Sequence, residues 1–165
     1  MNEGCDMQSV EEFLAYAVKL EEEAALRFGE LADVLQSCGN SDVSKLFRRL
    51  SDYSRLHLAD AKARSGYREI PDLKPSEFDW PDFESPESAA IWAADPFIGR
   101  EQALEIARDA EQASLDYYRR IFETTVDPEI RVLAKEFVEE ETEHVTEIQK
   151  WIAAYKIGKP LPVDR

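Results

Sequence analysis

Five side chains of this sequence, Glu21, His57, Glu111, Glu141 and His144, are of types that together bind a divalent metal ion. Two of them form Glu141-x-x-His144, and on a helix that spacing puts a carboxylate and an imidazole on one face. The chain has only two histidines, and both belong to this set. Carboxylate oxygens combined with neutral imidazole nitrogens suit iron or manganese, and also accommodate zinc. Singly, a glutamate or histidine on a helix face has an ordinary explanation, as a solvated edge or a satisfied core group. The joint pattern is harder to explain that way. Buried near one another, the three carboxylates would pay a desolvation cost on the order of several kcal/mol per ion, and their repulsion would force protonation. A divalent cation removes both problems.

Four segments with helical periodicity position these residues. The first starts at Ser9, which makes a capping-box pattern with Glu12, and stops at Cys38-Gly39-Asn40. Its inward stripe reads Leu14, Ala17, Glu21, Ala24, Phe28, Leu31, Leu35, in the alternating steps of three and four of a bundle seam. The second runs from Ser41 to Ser65-Gly66 with Val43, Leu46, Leu50, Tyr53 or Ser54, His57 and Ala61 inward. The third runs from Arg100 to Thr124 through Leu104, Ala107, Glu111, Ser114, Tyr118 and Ile121. The fourth has Asp127 as cap and Pro128 as first residue, and ends near Ile157, before Gly158 and Pro160. Its stripe is Ile130, Leu133, Phe137, Glu141, His144, Ile148, Trp151, Tyr155. Each stripe is apolar except near its centre, where the five candidate ligands fall.

Short links join the first helix to the second and the third to the fourth, so each pair is expected to be an antiparallel hairpin. The stretch from Gly66 to Ile98 holds most of the eight prolines and the aromatics Phe78, Trp80, Phe83 and Trp92. It reads as a long crossover strapped along the bundle, which lets the second and third helices run parallel, with Glu87 to Ala94 as a short helix within it. The halves resemble each other: Glu21 aligns with Glu111, and His57 with His144. The expectation is an all-α four-helix bundle forming a single domain over residues 1–165.

Composition narrows the function. A net charge of −15 repels nucleic acid and anionic lipid and draws cations into clefts. No apolar run approaches the roughly 18 residues that cross a bilayer, so no membrane span is expected and the cytosol is the default location. Cys5 and Cys38 are too far apart for a C-x-x-C pair, which leaves no thiolate zinc or iron–sulfur motif.

Glu21, Glu111 and Glu141-x-x-His144, distributed over four helices, resemble the ferritin-like di-iron carboxylate superfamily, in which two helices each give a Glu and two each give an E-x-x-H motif. Glu21, Ala24, Phe28 and Glu111, Ser114, Tyr118 are similar to the helix pattern of rubrerythrins. The resemblance implies two iron ions, with manganese or zinc as alternatives. One would be held by Glu21, His57 and a share of Glu141, the other by Glu111, His144 and the remaining share of Glu141. It also implies an oxidoreductase that reduces peroxide or dioxygen with electrons from a separate donor protein, in a homodimer. The sequence departs from the pattern at Ser54-Arg55-Leu56-His57, where a bridging glutamate would be expected and serine stands instead. Ser114 likewise replaces a glutamate common in rubrerythrins, and no rubredoxin-like cysteine pairs follow. The alternative function is therefore metal handling without turnover at a degenerate site. The tail from Gly158 to Arg165 is too short for the fifth helix of a ferritin cage. Asp60 and Glu147, one turn beyond each histidine, read as solvated edges.

Overall fold

The computed structural model describes residues 7–81, 85–87 and 91–164, with the side chains of Ile91 and Trp92 left out. Cys5, Phe83 and the ring of Trp92 lie outside the described residues. The described residues form four long helices and no strand: α1 Val10–Ser37, α2 Ser41–Arg64, α3 Arg100–Thr124 and α4 Pro128–Lys156.

The helices start and stop where local chemistry dictates. The Ser9 hydroxyl accepts the Glu12 backbone N–H, and the Glu12 carboxylate reaches back to the Gln8 backbone N–H instead of closing a box on Ser9. Asn40 caps α2 by accepting from Val43. Asp127 caps α4 by accepting from both Glu129 and Ile130. Gly39 and Gly158, at φ 82° and 75°, take the left-handed conformation that ends α1 and α4.

Helices α1 and α2 pair extensively, as do α3 and α4. Ser44 and Ser51 hydroxyls donate to the Ala32 and Ala25 carbonyls at 2.7 Å, so small polar residues of α2 stitch it closely to α1. Asn40 donates to the carbonyls of Pro96 and Ile98, and Arg100 to the carbonyl of Asp42, which sets the starts of α2 and α3 side by side. Lys156 meets Glu101 at the same end. At the opposite end, Arg68 joins Glu11 of α1 and Glu129 of α4. Helices α2 and α3 are therefore parallel to each other and antiparallel to α1 and α4, as the crossover requires.

The seams are buried as their periodicity predicts, except that His57, Leu133 and His144 are half-buried and Tyr155 is exposed. The buried apolar residues fall into two clusters. One gathers Phe28, Leu46, Phe47, Leu104, Ile148 and Trp151 toward the start of α2. The other gathers Phe13, Leu20, Tyr118, Ile130 and Phe137 at the far end. Between these layers lies a polar slab.

The crossover straps the bundle over the groove between α1 and α3. Trp80 packs edge-on against Tyr16 of α1 and Tyr117 of α3, with ring centroids 4.9 and 5.6 Å away, and Asp79 N–H donates to the Tyr16 hydroxyl. Farther along, Ala93 and Ile98 are buried in the other apolar layer. Of the short helix expected over Glu87–Ala94, the described residues show a 3-10 turn at Ile91–Ala94. Residues 88–90 lie outside those described, and Glu87 sits in a turn just after Pro86.

Candidate metal centre

Helical phase alone aims the central residues inward. One turn separates Glu21 from Ala17 and Ala24, both fully buried, and the same holds for Glu111 between Ala107 and Ser114. Glu21, Glu111 and Glu141 retain only 2%, 7% and 1% of their exposure, while His57 and His144 are half-buried. His144 Nδ1 stands 3.3 Å from Glu111 Oε2 and 3.2 Å from Glu141 Oε2. His57 Nδ1 lies 3.9 Å from Glu21 Oε2 and makes no hydrogen bond. The two imidazoles stack face to face with centroids 3.8 Å apart.

Ligand-type atoms converge in groups. Glu111, Glu141 and His144 each place one within 4.8 Å of the others. A second such group joins Glu21 and Glu141 to Glu87, a residue of the crossover. His57 is not in that compact group. It shares one with His144 and Glu140, whose carboxylate is held by Arg64 at 2.7 Å. Ser54 is buried one turn before His57. Asp60 is exposed, and Glu147 accepts the Trp151 indole N–H at 3.0 Å.

Glu87 is the residue that sequence reasoning misses. It has no helical period to announce it, and it lies amid glutamates and aspartates that solvate the strap. Its only signal is position, inside the one segment long enough to fold back over the bundle. Yet it is fully buried, and neither carboxylate oxygen has a hydrogen-bond partner. The group near enough to share a proton with it is another carboxyl, that of Glu111.

Electrostatics show how the protein balances this cluster with protons. Burial, then the charges of Glu141 and Glu111, raise the Glu21 carboxyl well above the ordinary range. Burial, then Glu111, Glu21 and Glu141, do the same to Glu87. Glu141 is raised by burial to about 8, with the His144 hydrogen bond opposing. Burial alone would lower His144, but hydrogen bonds to Glu111 and Glu141 carry it up to about 11. Glu111 is held low despite burial by its hydrogen bond to that imidazolium. His57 is pushed down to about 4 by burial and by the neighbouring His144 charge. The imidazolium and the protonated carboxyls thus stand where cationic charge is needed.

The donor set passes the test for a divalent metal. Glu21 Oε2, both Glu87 oxygens and His57 Nδ1 are buried without an N–H or hydroxyl hydrogen-bond partner, a concentration that native interiors avoid unless an ion or water satisfies it. Oxygen and imidazole donors together are the chemistry of iron, manganese and zinc sites. A cleft of about 330 Å³ reaches the imidazoles between α2 and α4; Leu50, Tyr53, Ile148 and Trp151 line it, and Glu143 and Glu147 also border it. The phenol of Tyr118 is buried beside the cluster, and burial followed by the charges of Glu21 and Glu141 keeps it neutral.

Four helices with a crossover between the second and third, and a central layer of carboxylates and imidazoles, define a ferritin-like bundle. The chain belongs to the rubrerythrin family, whose sequence profile matches residues 12–152. It is also similar to an uncharacterized conserved protein from Magnetospirillum magnetotacticum MS-1 of known crystal structure. The two are 35% identical, with a TM-score of 0.64 over 93% of this chain and 97% of that one. No curated protein matches the chain. No helix among the described residues is long and apolar enough to cross a membrane.

Proposed function

We propose that this chain is a di-iron oxidoreductase that reduces peroxide or dioxygen with electrons from a separate donor protein. The observation that supports it most is the convergence of Glu21, His57, Glu111, Glu141 and His144 on one buried layer containing carboxylate oxygens that nothing satisfies. Glu111, Glu141 and His144 would hold one ion, and Glu21, His57 and a share of Glu141 the other. Bound iron would supply the redox equivalents for reducing peroxide or dioxygen.

The chain's own residues do the rest. The two apolar layers exclude water above and below the slab, which strengthens every electrostatic interaction within it. The cleft of about 330 Å³ beside His57 and His144 has room for hydrogen peroxide, and Glu143 and Glu147 at its border favour a small neutral molecule over an anion. The acidic surface suits a donor protein with a basic docking face. The test is stopped-flow oxidation of reduced, iron-loaded protein. Faster reaction with hydrogen peroxide than with dioxygen is expected, and the reverse preference would contradict the peroxidase reading.

Ser54 favours a second reading, metal handling with little turnover, because α2 lacks the carboxylate that would complete an E-x-x-H motif. Steady-state peroxide reduction with a chemical electron donor separates the two. Stoichiometric metal with no turnover would select the second.

A further inference from the structure

The strap places a carboxylate where α2 has none. We propose that Glu87 is itself a metal ligand, supplied by the crossover in place of the carboxylate absent at Ser54, so that the strap is a working part of the centre. The inference rests on the metal-binding reading above and adds a ligand from outside the four helices.

Three observations carry it. Glu87 is fully buried, although a glutamate on a surface crossover would ordinarily solvate itself. Neither of its oxygens meets an N–H or hydroxyl donor, and the group near enough to share a proton is the Glu111 carboxyl of the same slab, so no capping role explains the burial. An oxygen of Glu87 lies within 4.8 Å of oxygens of Glu21 and Glu141, so the side chain is aimed into the slab. Its neighbours in the chain make that placement deliberate. Trp80 is buried in one apolar layer and Ala93 in the other, and Glu87 lies between them in the chain. Ser85 is buried as well, so the backbone there lies close against the bundle.

A carboxylate has two oxygens to share, which makes Glu87 a functional substitute for a helix-borne bridging residue. The substitution changes what metal binding does. A ligand on a helix is already fixed by its hydrogen-bonded backbone, whereas an ion bound by one on a strap adds a further tie between strap and bundle. Metal loading should therefore slow backbone exchange in the crossover around Glu87.

The test compares manganous titrations, metal-free melting temperatures and hydrogen–deuterium exchange over residues 79–94 for the full-length wild type, Glu87→Gln, and Glu87→Gln with Ser54→Glu. Wild type should bind manganese and show metal-dependent slowing of exchange in the strap. Glu87→Gln should weaken at least one ion by about tenfold or more, lose that slowing, and melt higher than wild type without metal. The double variant should recover affinity but not strap protection. Wild-type affinity and strap protection in Glu87→Gln would overturn the inference and leave the metal-binding reading intact. So would a metal-free Glu87→Gln that melts lower, which would make Glu87 structural. Wild type that binds no manganese would overturn the metal-binding reading itself.

Discussion

In the α3–α4 hairpin, His144 stands 3.3 Å from Glu111 and 3.2 Å from Glu141, a three-residue set drawn together within one supersecondary unit. In the α1–α2 hairpin, the matching His57 lies 3.9 Å from Glu21, and the residue one turn before it is Ser54. The hairpins look like repeats in sequence, yet only one carries a complete carboxylate–histidine set. The difference teaches that the polar slab is finished by connectivity as well as by helices, because the carboxylate grouped with Glu21 and Glu141 comes from the crossover. It also singles out Glu141, which belongs to the ligand groups on both sides.

Removing that shared residue should have the largest effect. Glu141→Gln is expected to weaken binding of both ions by about 100-fold or more, at the upper end of what even outer-sphere partners cost. Glu21→Gln and Glu111→Gln should each weaken chiefly one ion, since each sits in a single group with Glu141. Calorimetric titration with manganous ion reads the difference, and equal losses in all three variants would erase the distinction between the hairpins.

Making the hairpins alike should be costly without metal. Ser54→Glu places a further carboxylate in a slab that already holds four, Glu21, Glu87, Glu111 and Glu141. The metal-free protein should lose about 1 to 3 kcal/mol in denaturant unfolding, unless the new group protonates. No loss at a pH where the new carboxyl is ionised would mean that position 54 faces away from the slab.

The next expected effect is on pH dependence. Glu141 is raised from 4.5 to about 8, so its contribution to folding is complete below 4.5 and is lost as pH rises through 8. His57 is lowered from 6.5 to about 4, so its contribution is complete above 6.5 and is lost as pH falls through 4. Between those limits the two oppose each other. Above 6.5 the His57 contribution is complete and the fall due to Glu141 remains, joined by that of His144, which is raised from 6.5 to about 11. Metal-free protein should therefore melt lower at pH 8 than at pH 6.5, while metal affinity rises over the same range as protons leave the ligands. Melts that are flat across this window would mean that the cluster holds no such protons.

The smallest effect should come from Tyr118, whose buried hydroxyl has no hydrogen-bond partner. Tyr118→Phe should change stability by no more than about 1 kcal/mol, in either direction, because no bond is lost. A slower reaction of reduced protein with peroxide in this variant would assign the phenol a part in electron transfer and not only in packing.

Much of this was legible because helices advertise their faces. The caps Ser9 and Asp127 and the stops at Gly39 and Gly158 marked ends through chemistry confined to a few residues. The inward phase of Glu21 and Glu111 followed from the apolar residues one turn to either side. Glu87 was hidden because its burial depends on contacts far along the chain, Trp80 against Tyr16 and Tyr117, with no local period to signal it. The grouping of Glu21 with Glu87, and the stacking of His57 on His144, depend likewise on how four helices and a strap meet, which single-helix periodicity does not encode.

The most direct test of the central claim is metal content after anaerobic reconstitution. Wild-type protein loaded with ferrous ion and desalted should retain two iron ions per chain, and the Glu141→Gln variant far less. Wild type retaining no more iron than Glu141→Gln would contradict the assignment of this slab as a metal centre.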